Sequence, residues 1–496
     1  MSAVPRLPRT TTGQPDRTPG RAPDRAADRN ADRNVDRNVD RASDRASDRG
    51  SGRASDRGSD RGSGRASGRG SDRGSGRASG RASDRGSGRS ADLTADRAAD
   101  RFSRATGDGR REANAATVLR AVLDHGPVAR GSIARLSGLS PAAVSRQCVD
   151  LLRLGLVREL PERVESGGVG RPQIPVDLHT GEDGGPVAGG VHIGVPWSSF
   201  GLLDLRGRLL ARRTFPHDGI APGDLSREVV AGLRAFLAEA TGDRHLLGVG
   251  AALGGWVDPA LGTAVRHDTL GWHHRPLAAE LSRGLGGIDV GIDNHARAIA
   301  QSEILFGRPA ARRSLVHLFI GNVVDAALGI AGVVHQGPGS GAGDVAHLPV
   351  PDSTVTCPCG RTGCLEATAS NLAVARTAVR RGIVPEADVF LLVDAAAAGD
   401  RRADRLLRER ARAVGRATAL LLDVLNPDLV VVTEHSSLLN PEYLEEIRGA
   451  AVDLSHVCKD PERIVGPHAG MAVLPVAGGT IALNPLFRSP LAASGR

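Results

Sequence analysis

Three of the chain's five cysteines crowd into one short loop, Cys357, Cys359 and Cys364, and His347 lies just upstream. The series reads H-x9-C-x-C-x4-C. Three soft thiolates and one imidazole make a closed tetrahedral set suited to Zn²⁺, with no position left open for water. A structural zinc is therefore the expected cofactor. The alternative, an ordinary histidine beside free thiols, sits badly with such crowding in a cysteine-poor chain. Gly360 and Gly363 allow sharp turns between the ligands. Cys148 and Cys458 stand alone, so disulfides are not expected and the cytoplasm is the expected compartment.

The loop belongs to a longer pattern: Gly341-Ala-Gly-Asp-Val-Ala-His347, then Cys357-Pro-Cys-Gly-Arg-Thr-Gly-Cys-Leu-Glu366, then Ser370. This resembles the signature of the ROK family of sugar kinases and sugar-responsive regulators, E-x-G-H followed by C-x-C-G-x-x-G-C-L-E. Asp344 and Ala346 stand where that family has Glu and Gly. The resemblance runs from about residue 113 to 490. It implies two α/β lobes of the actin and hexokinase type with a cleft between them. It also implies that Asn294, His295, Asp344, His347 and Glu366 lie where the family holds a sugar, with His347 serving the zinc too. An acid beside Ala367-Thr-Ala-Ser370 also suits a helix N-terminus, which is the purely structural reading of Glu366.

The same resemblance argues against phosphoryl transfer, which needs amides and hydroxyls around the phosphates and a carboxylate base. The family's Asp-x-Gly-Gly-Thr falls at His192-Ile-Gly194-Val-Pro196, and its Gly-Thr-Gly at Gly321-Asn322-Val323. A Gly-Gly pair near the adenosine becomes Thr433-Glu434, and the catalytic Asn-Asp-Ala becomes Asn294-His295-Ala296. No catalytic residue is expected. His295 suits a phosphate better than the lost aspartate would, which tilts the expected effector toward a sugar phosphate over a free sugar. His267, His273 and His274 lack metal-ligating company and read as solvated loop residues.

These groups need a scaffold, and the pattern supplies one. Strand-like runs (Val187–Ile193, Phe200–Leu205, Leu429–Val432) alternate with helical ones (Leu225–Ala240, Pro276–Leu285, Arg402–Leu425), as in α/β domains. The kinase-like domain is placed at 185–490, with lobe 1 over about 185–300 plus 476–496 and lobe 2 over about 301–475.

Ahead of it, residues 109–180 carry a different pattern. Apolar spacing at Ala116, Leu119, Val122 and Leu123 marks a helix that Gly126-Pro127 ends. Ser132 is the expected cap of a second helix, and Pro141 opens a third that Gly155 closes. Two helices joined by the tight turn Gly138-Leu139-Ser140 suggest a helix-turn-helix. Val144, Cys148, Leu151 and Leu152 would then face inward. Ser140, Ala142, Ala143, Ser145, Arg146 and Gln147 would face phosphates and base edges of double-stranded DNA. Leu156–Leu160 and Ile174–Leu178 would pair as a wing whose loop offers Arg171 to a minor groove. The segment resembles the winged helix-turn-helix of ROK repressors, and the family's kinases lack it.

Residues 1–108 repeat Asp-Arg and Gly-Arg dipeptides with almost no large apolar side chains, a composition expected to stay disordered. An inert leader, a weak nucleic-acid contact and an extension upstream of the true start are all compatible with it. The net charge is +8, carried by arginine with a single lysine, Lys459. No apolar run long enough to span a bilayer is evident, and no membrane partner is expected. The combined expectation is a zinc-containing, kinase-inactive transcriptional regulator, a repressor of carbohydrate genes, responding to a sugar or sugar phosphate and acting as a homodimer or higher oligomer. The competing readings are a sugar kinase with an extra domain and a DNA-binding scaffold without a ligand.

Overall fold

The computed structural model describes residues 107–163 and 174–493. The expected disorder of the tail up to residue 106, and Arg171 with its loop, lie outside the described residues.

The first helix, α1 (Gly107–His125), starts two residues inside the expected tail and stops at Gly126-Pro127. Strand β1 (Val128–Ala129) leads into α2 (Arg130–Ser137). Ala129, not Ser132, is the N-cap residue of α2. The reason is the pairing of Val128 and Ala129 with Val176 and Pro175, which holds the backbone extended up to Ala129 and starts the helix early. Ser132 instead accepts a 2.8 Å hydrogen bond from Arg135. After a left-handed turn at Gly138, α3 (Pro141–Arg153) begins with Ser140 accepting from the Ala143 amide at 3.2 Å. Strands β2 (Val157–Glu159) and β3 (Pro175–Leu178) pair antiparallel, Val157 opposite Leu178.

Two five-stranded sheets follow. The first contains β4 (Val187–Ile193), β5 (Trp197–Leu203), β6 (Leu209–Pro216), β7 (Leu246–Leu253) and β11 (Val290–Asn294). Helix α4 (Leu225–Ala240) precedes β7, and the small sheet β8 (Trp256–Asp258), β9 (Thr263–His267) and β10 (Trp272–Arg275) follows it. Helix α5 (Leu277–Gly284) leads to β11, and α6 (His295–Phe306) crosses to the second sheet. That sheet contains β12 (Ser314–Ile320), β13 (Val324–Ile330), β14 (Val333–Val334), β15 (Leu429–Glu434) and β16 (Ile464–Val465). Between β14 and β15 come α7 (Leu365–Ala369), α8 (Asn371–Arg380), α9 (Val389–Ala397) and α10 (Arg401–Leu425). Helices α11 (His435–Leu439) and α12 (Pro441–Leu454) follow β15, and α13 (Val473–Arg488) and α14 (Pro490–Ala493) end the described chain.

Both sheets have the same plan. The first strand in sequence is central, its antiparallel hairpin partner lies on one side, and two parallel strands lie on the other. Two α/β lobes are what the resemblance implied; the repeated strand order is a finding of the structure. The long helix α13 returns to the first sheet, where small residues let it come very close. A Cβ on Gly190 would stand 2.3 Å from the Gly479 amide nitrogen, and one on Gly250 would stand 2.0 Å from the Gly478 carbonyl oxygen. The stretch Gly470–Arg488 is long and apolar enough, by length and composition, to cross a membrane. Here it is a core helix, with Val473, Val476, Leu483, Leu486 and Phe487 buried.

One apolar core runs through the N-terminal segment and the first lobe. Val118, Leu119, Val122, Ile133, Val144, Cys148 and Leu151 pack in a single cluster with Leu203, Leu205, Leu305, Val476, Leu483 and Phe487. Polar contacts reinforce the join. Arg312 grips Asp124 in a two-pronged ion pair at 2.8 and 2.9 Å, and Arg206 pairs with Asp177.

Candidate functional site

The loop between β14 and α7 brings His347, Cys357, Cys359 and Cys364 together, with their four ligand atoms all within 4.8 Å of one another. Cys359 Sγ lies 3.7 Å from Cys364 Sγ, and Cys357 Sγ lies 3.7 Å from His347 Nδ1. A tetrahedron of thiolates about 2.3 Å from zinc has edges of about 3.8 Å, so the spacing fits the ion. The Arg361 amide and side chain hold the Cys359 thiol down at about 6, whereas burial and the neighbouring thiols push Cys364 up to about 11, so without a metal the set holds protons that an ion must displace. Backbone bonds carry the order outward: Val350 donates to the Gly363 carbonyl, and Leu365 to that of Leu348.

Directly after this loop, Glu366 sits in the first turn of α7 and accepts from the Val324 amide at 3.1 Å. Burial pushes its carboxyl up. Asp344 is exposed and accepts from Ala346 at 3.2 Å. Asn294 is committed elsewhere. Its side-chain oxygen caps α6 by accepting from Ala296 and Arg297, and its amide donates to Gly255 and to Asp325. No free hydrogen-bonding capacity remains on it for a sugar.

A cavity of about 390 Å³ lies between the lobes. Of the five residues expected to hold a sugar, His295 lines it, whereas Asn294, Asp344, His347 and Glu366 do not. Its walls come from the segment after β4 (Gly194, Val195, Pro196, Trp197), the turn Gly321-Asn322-Val323, and the start of α9 (Asp388, Val389, Phe390). Three buried histidines, His192, His267 and His295, face it from the first lobe. His295 Nε2 lies 3.0 Å from a carboxylate oxygen of Asp325, and His295 Nδ1 lies 3.4 Å from His192 Nε2. Burial lowers His192 well below its usual range and His267 to about 4.

One sequence expectation is corrected here, and one residue is added. His267 is not a solvated loop residue; it is 4% exposed, because β9 turns its side chain inward and the Leu270 amide donates to its Nδ1. His273 and His274 are exposed, as expected. Asp325 was missed altogether. The signal lay in β13, whose apolar run Val324, Ala326, Ala327, Leu328 is broken by one acid that the fold then places, half-buried, against His295.

The remaining kinase-motif positions are filled as well. Glu434 and Arg410, each 1% exposed, form an ion pair at 2.5 Å. Glu434 also accepts from Ser436 and Ser437, while Arg410 donates to the Ala369 carbonyl and to Asn371.

On α3, Ser140, Ala142, Ser145 and Arg146 are exposed and Ala143 is half-buried. Gln147 is a correction: it is 5% exposed, and its side-chain oxygen has no partner. Positions 144, 147, 148 and 151 share one helical stripe, and that stripe is the core face.

Comparison with known proteins adds the lineage. Residues 188–456 match the family model described as "ROK family". The chain belongs to the ROK family. A transcriptional regulator of Mycobacterium tuberculosis is 36% identical over 400 residues, covering 78% of this ROK chain and 88% of the relative. A xylose repressor of Caldicellulosiruptor bescii is 26% identical over 355 residues, covering 68% and 87%. Among solved structures, a ROK family transcriptional regulator homologous to the Escherichia coli MLC protein superimposes with a TM-score of 0.62 at 20% identity. It covers 78% of this chain and 98% of that one. A ROK glucokinase from Streptomyces griseus superimposes with a TM-score of 0.52 at 24% identity, covering 60% and 98%. The two superpositions establish the fold.

Proposed function

We propose that this ROK protein is a sequence-specific DNA-binding transcriptional regulator, acting as a repressor of carbohydrate genes in the cytoplasm. Residues 109–180 form its winged helix-turn-helix, and its two lobes are a ligand-responsive body without kinase activity. The observation that carries the reading is the two-sided character of α3. One stripe is locked into the core, while Ala142, Ser145 and Arg146 on the other stand open at the start of the helix. That is the disposition needed to enter a major groove, with Arg146 suited to guanine. The regulator and repressor names of its relatives point the same way.

Two features oppose the kinase alternative. A histidine held by Asp325 stands at the position of the catalytic carboxylate, and the Arg410–Glu434 pair fills the position of the Gly-Gly motif. Zn²⁺ bound by His347, Cys357, Cys359 and Cys364 is structural in this reading, since four protein ligands leave no open position. The protein works as a two-fold homodimer, because one such DNA-reading unit spans too few base pairs for selectivity. The experiment is selection of bound duplexes from a randomised pool. A two-fold-symmetric motif is expected to emerge. A pool without enrichment, together with ATP-dependent phosphorylation of glucose, would replace the regulator with an enzyme.

A further inference from the structure

In the second lobe, helices α10 and α12 lie side by side and run in the same direction. Their contacts climb both helices together. Arg408 donates to Glu442 at 2.7 Å, and Arg412 donates to Glu446 at 2.6 Å. Gly415 then lets the backbones close, since a Cβ there would stand 2.6 Å from that of Ala450. Beyond it, Asp423 accepts from the His456 and Val457 amides at 2.9 and 3.2 Å. An open groove runs between the two helices on the solvent side, and a Cβ on Gly449 within it would meet nothing within 4 Å.

The solvent face of the pair is divided by charge. On α10 it is basic: Arg405, Arg412 and Arg416 are exposed, and the one exposed acid, Glu409, is already paired with Arg381 at 2.8 Å. On α12 it is acidic, with Glu442, Glu445 and Asp453 exposed. Arg412, Glu442 and Glu445 have partners within the chain, whereas Arg416 and Asp453 have none among the described residues. At the C-terminal end of the pair the surface turns apolar. Leu420, Val424, Leu454 and Val457 are all exposed there, Val424 to 70%. Exposed apolar side chains clustered beside charged ones mark an association surface.

Two copies of one face meet about a two-fold axis, so each group needs its complement on that same face. An axis across the helices would lay α10 on the second copy's α10 and set arginine against arginine. An axis along the helices lays α10 on the second copy's α12 at the same level. Arginine then faces acid, Arg416 meets Asp453 in both directions, and the apolar ends meet each other. Helices of 25 and 14 residues are about 37 and 21 Å long and about 10 Å across, so they present on the order of 600 Å² per chain. Two such faces reach the lower bound of a specific interface, about 1,200 Å² in total.

We propose that this face joins two copies of the chain, α10 of each on α12 of the other, through two Arg416–Asp453 ion pairs and the apolar end patch. This rests on the homodimer reading above and supplies its surface, independently of DNA.

The test is sedimentation velocity on the full chain over a dilution series, without DNA, so that its outcome stands apart from duplex selection. Wild type is expected at twice the chain mass. Arg416→Asp and Asp453→Arg should each raise the dimer dissociation constant by about tenfold or more, because each sets like charges opposite one another in two places. Combined in one chain, the two reversals should restore wild-type affinity to within about threefold. Val424→Glu, at an open position, should also weaken the dimer by about tenfold or more. All four variants should keep the wild-type circular dichroism spectrum. A wild-type monomer at micromolar concentration, a dimer indifferent to the single reversals and to Val424→Glu, or a double reversal no tighter than the singles overturns the proposal.

Discussion

Replacing Glu434 with alanine should be among the most damaging single changes available in the second lobe. The carboxylate receives the Arg410 guanidinium at 2.5 Å, the Ser436 amide at 3.0 Å, the Ser436 hydroxyl at 2.6 Å and the Ser437 amide at 2.8 Å. Its removal strands a guanidinium that is 1% exposed, a change that typically costs about 3–5 kcal/mol. Loss of the α11 cap adds about 1 kcal/mol. Arg410→Met combined with Glu434→Met should cost less than Glu434→Ala alone, because no uncompensated charge remains. Urea unfolding followed by circular dichroism measures all three proteins.

Burial pushes the Glu434 carboxyl up, but Arg410 and the Ser436 and Ser437 donors outweigh it and hold it below the usual carboxylate range. A depressed folded-state value means that the stabilisation is present above the unfolded value of about 4.3 and fades as pH falls through the folded one. The gap between wild type and Glu434→Ala should thus be constant from about pH 7 to 6 and narrow only in acid. A loss below about 1 kcal/mol, or a double Met variant costing as much as Glu434→Ala, would refute the buried-pair argument.

Cys364→Ser should lower zinc content, by elemental analysis, from about one ion per chain to near none, while Cys148→Ser and Cys458→Ser leave it unchanged. Arg146→Ala should weaken binding to the selected duplex by about 1–3 kcal/mol in an anisotropy titration, with a smaller loss on random DNA. Gln147→Leu should leave sequence preference intact and raise stability by about 1 kcal/mol or more in thermal unfolding, because it removes a buried oxygen with no partner. A chain starting at residue 107 should keep its sequence preference, with at most a flatter salt dependence.

The parts of this molecule legible in the sequence are those with local rules. The metal loop is a spacing rule, and the strand Val187–Ile193 and helix Leu225–Ala240 occur with the bounds their periodicity predicts. The cleft obeys no local rule. His192, His267 and His295 come from a strand, a hairpin and a helix start, and they meet only because β4, β9 and β11 converge at one end of the first lobe. Asn294 matched a family motif by position, yet its side chain is consumed in capping α6, a competition that a one-dimensional pattern does not display. Gln147 failed for a simpler reason: a polar residue on an apolar stripe was assigned by type and not by angle.

The core shared by the N-terminal segment and the last long helix sets an order on synthesis. Leu119, Ile133 and Cys148 leave the ribosome more than three hundred residues before Val476, Leu483 and Phe487, the partners that complete their burial. Domains made early in a chain generally fold as they emerge. This one must wait with its apolar face incomplete until α13 has been made. A premature stop anywhere in the second lobe would therefore release the N-terminal segment without part of its hydrophobic support. Truncated chains of this kind are expected to be cleared by proteolysis.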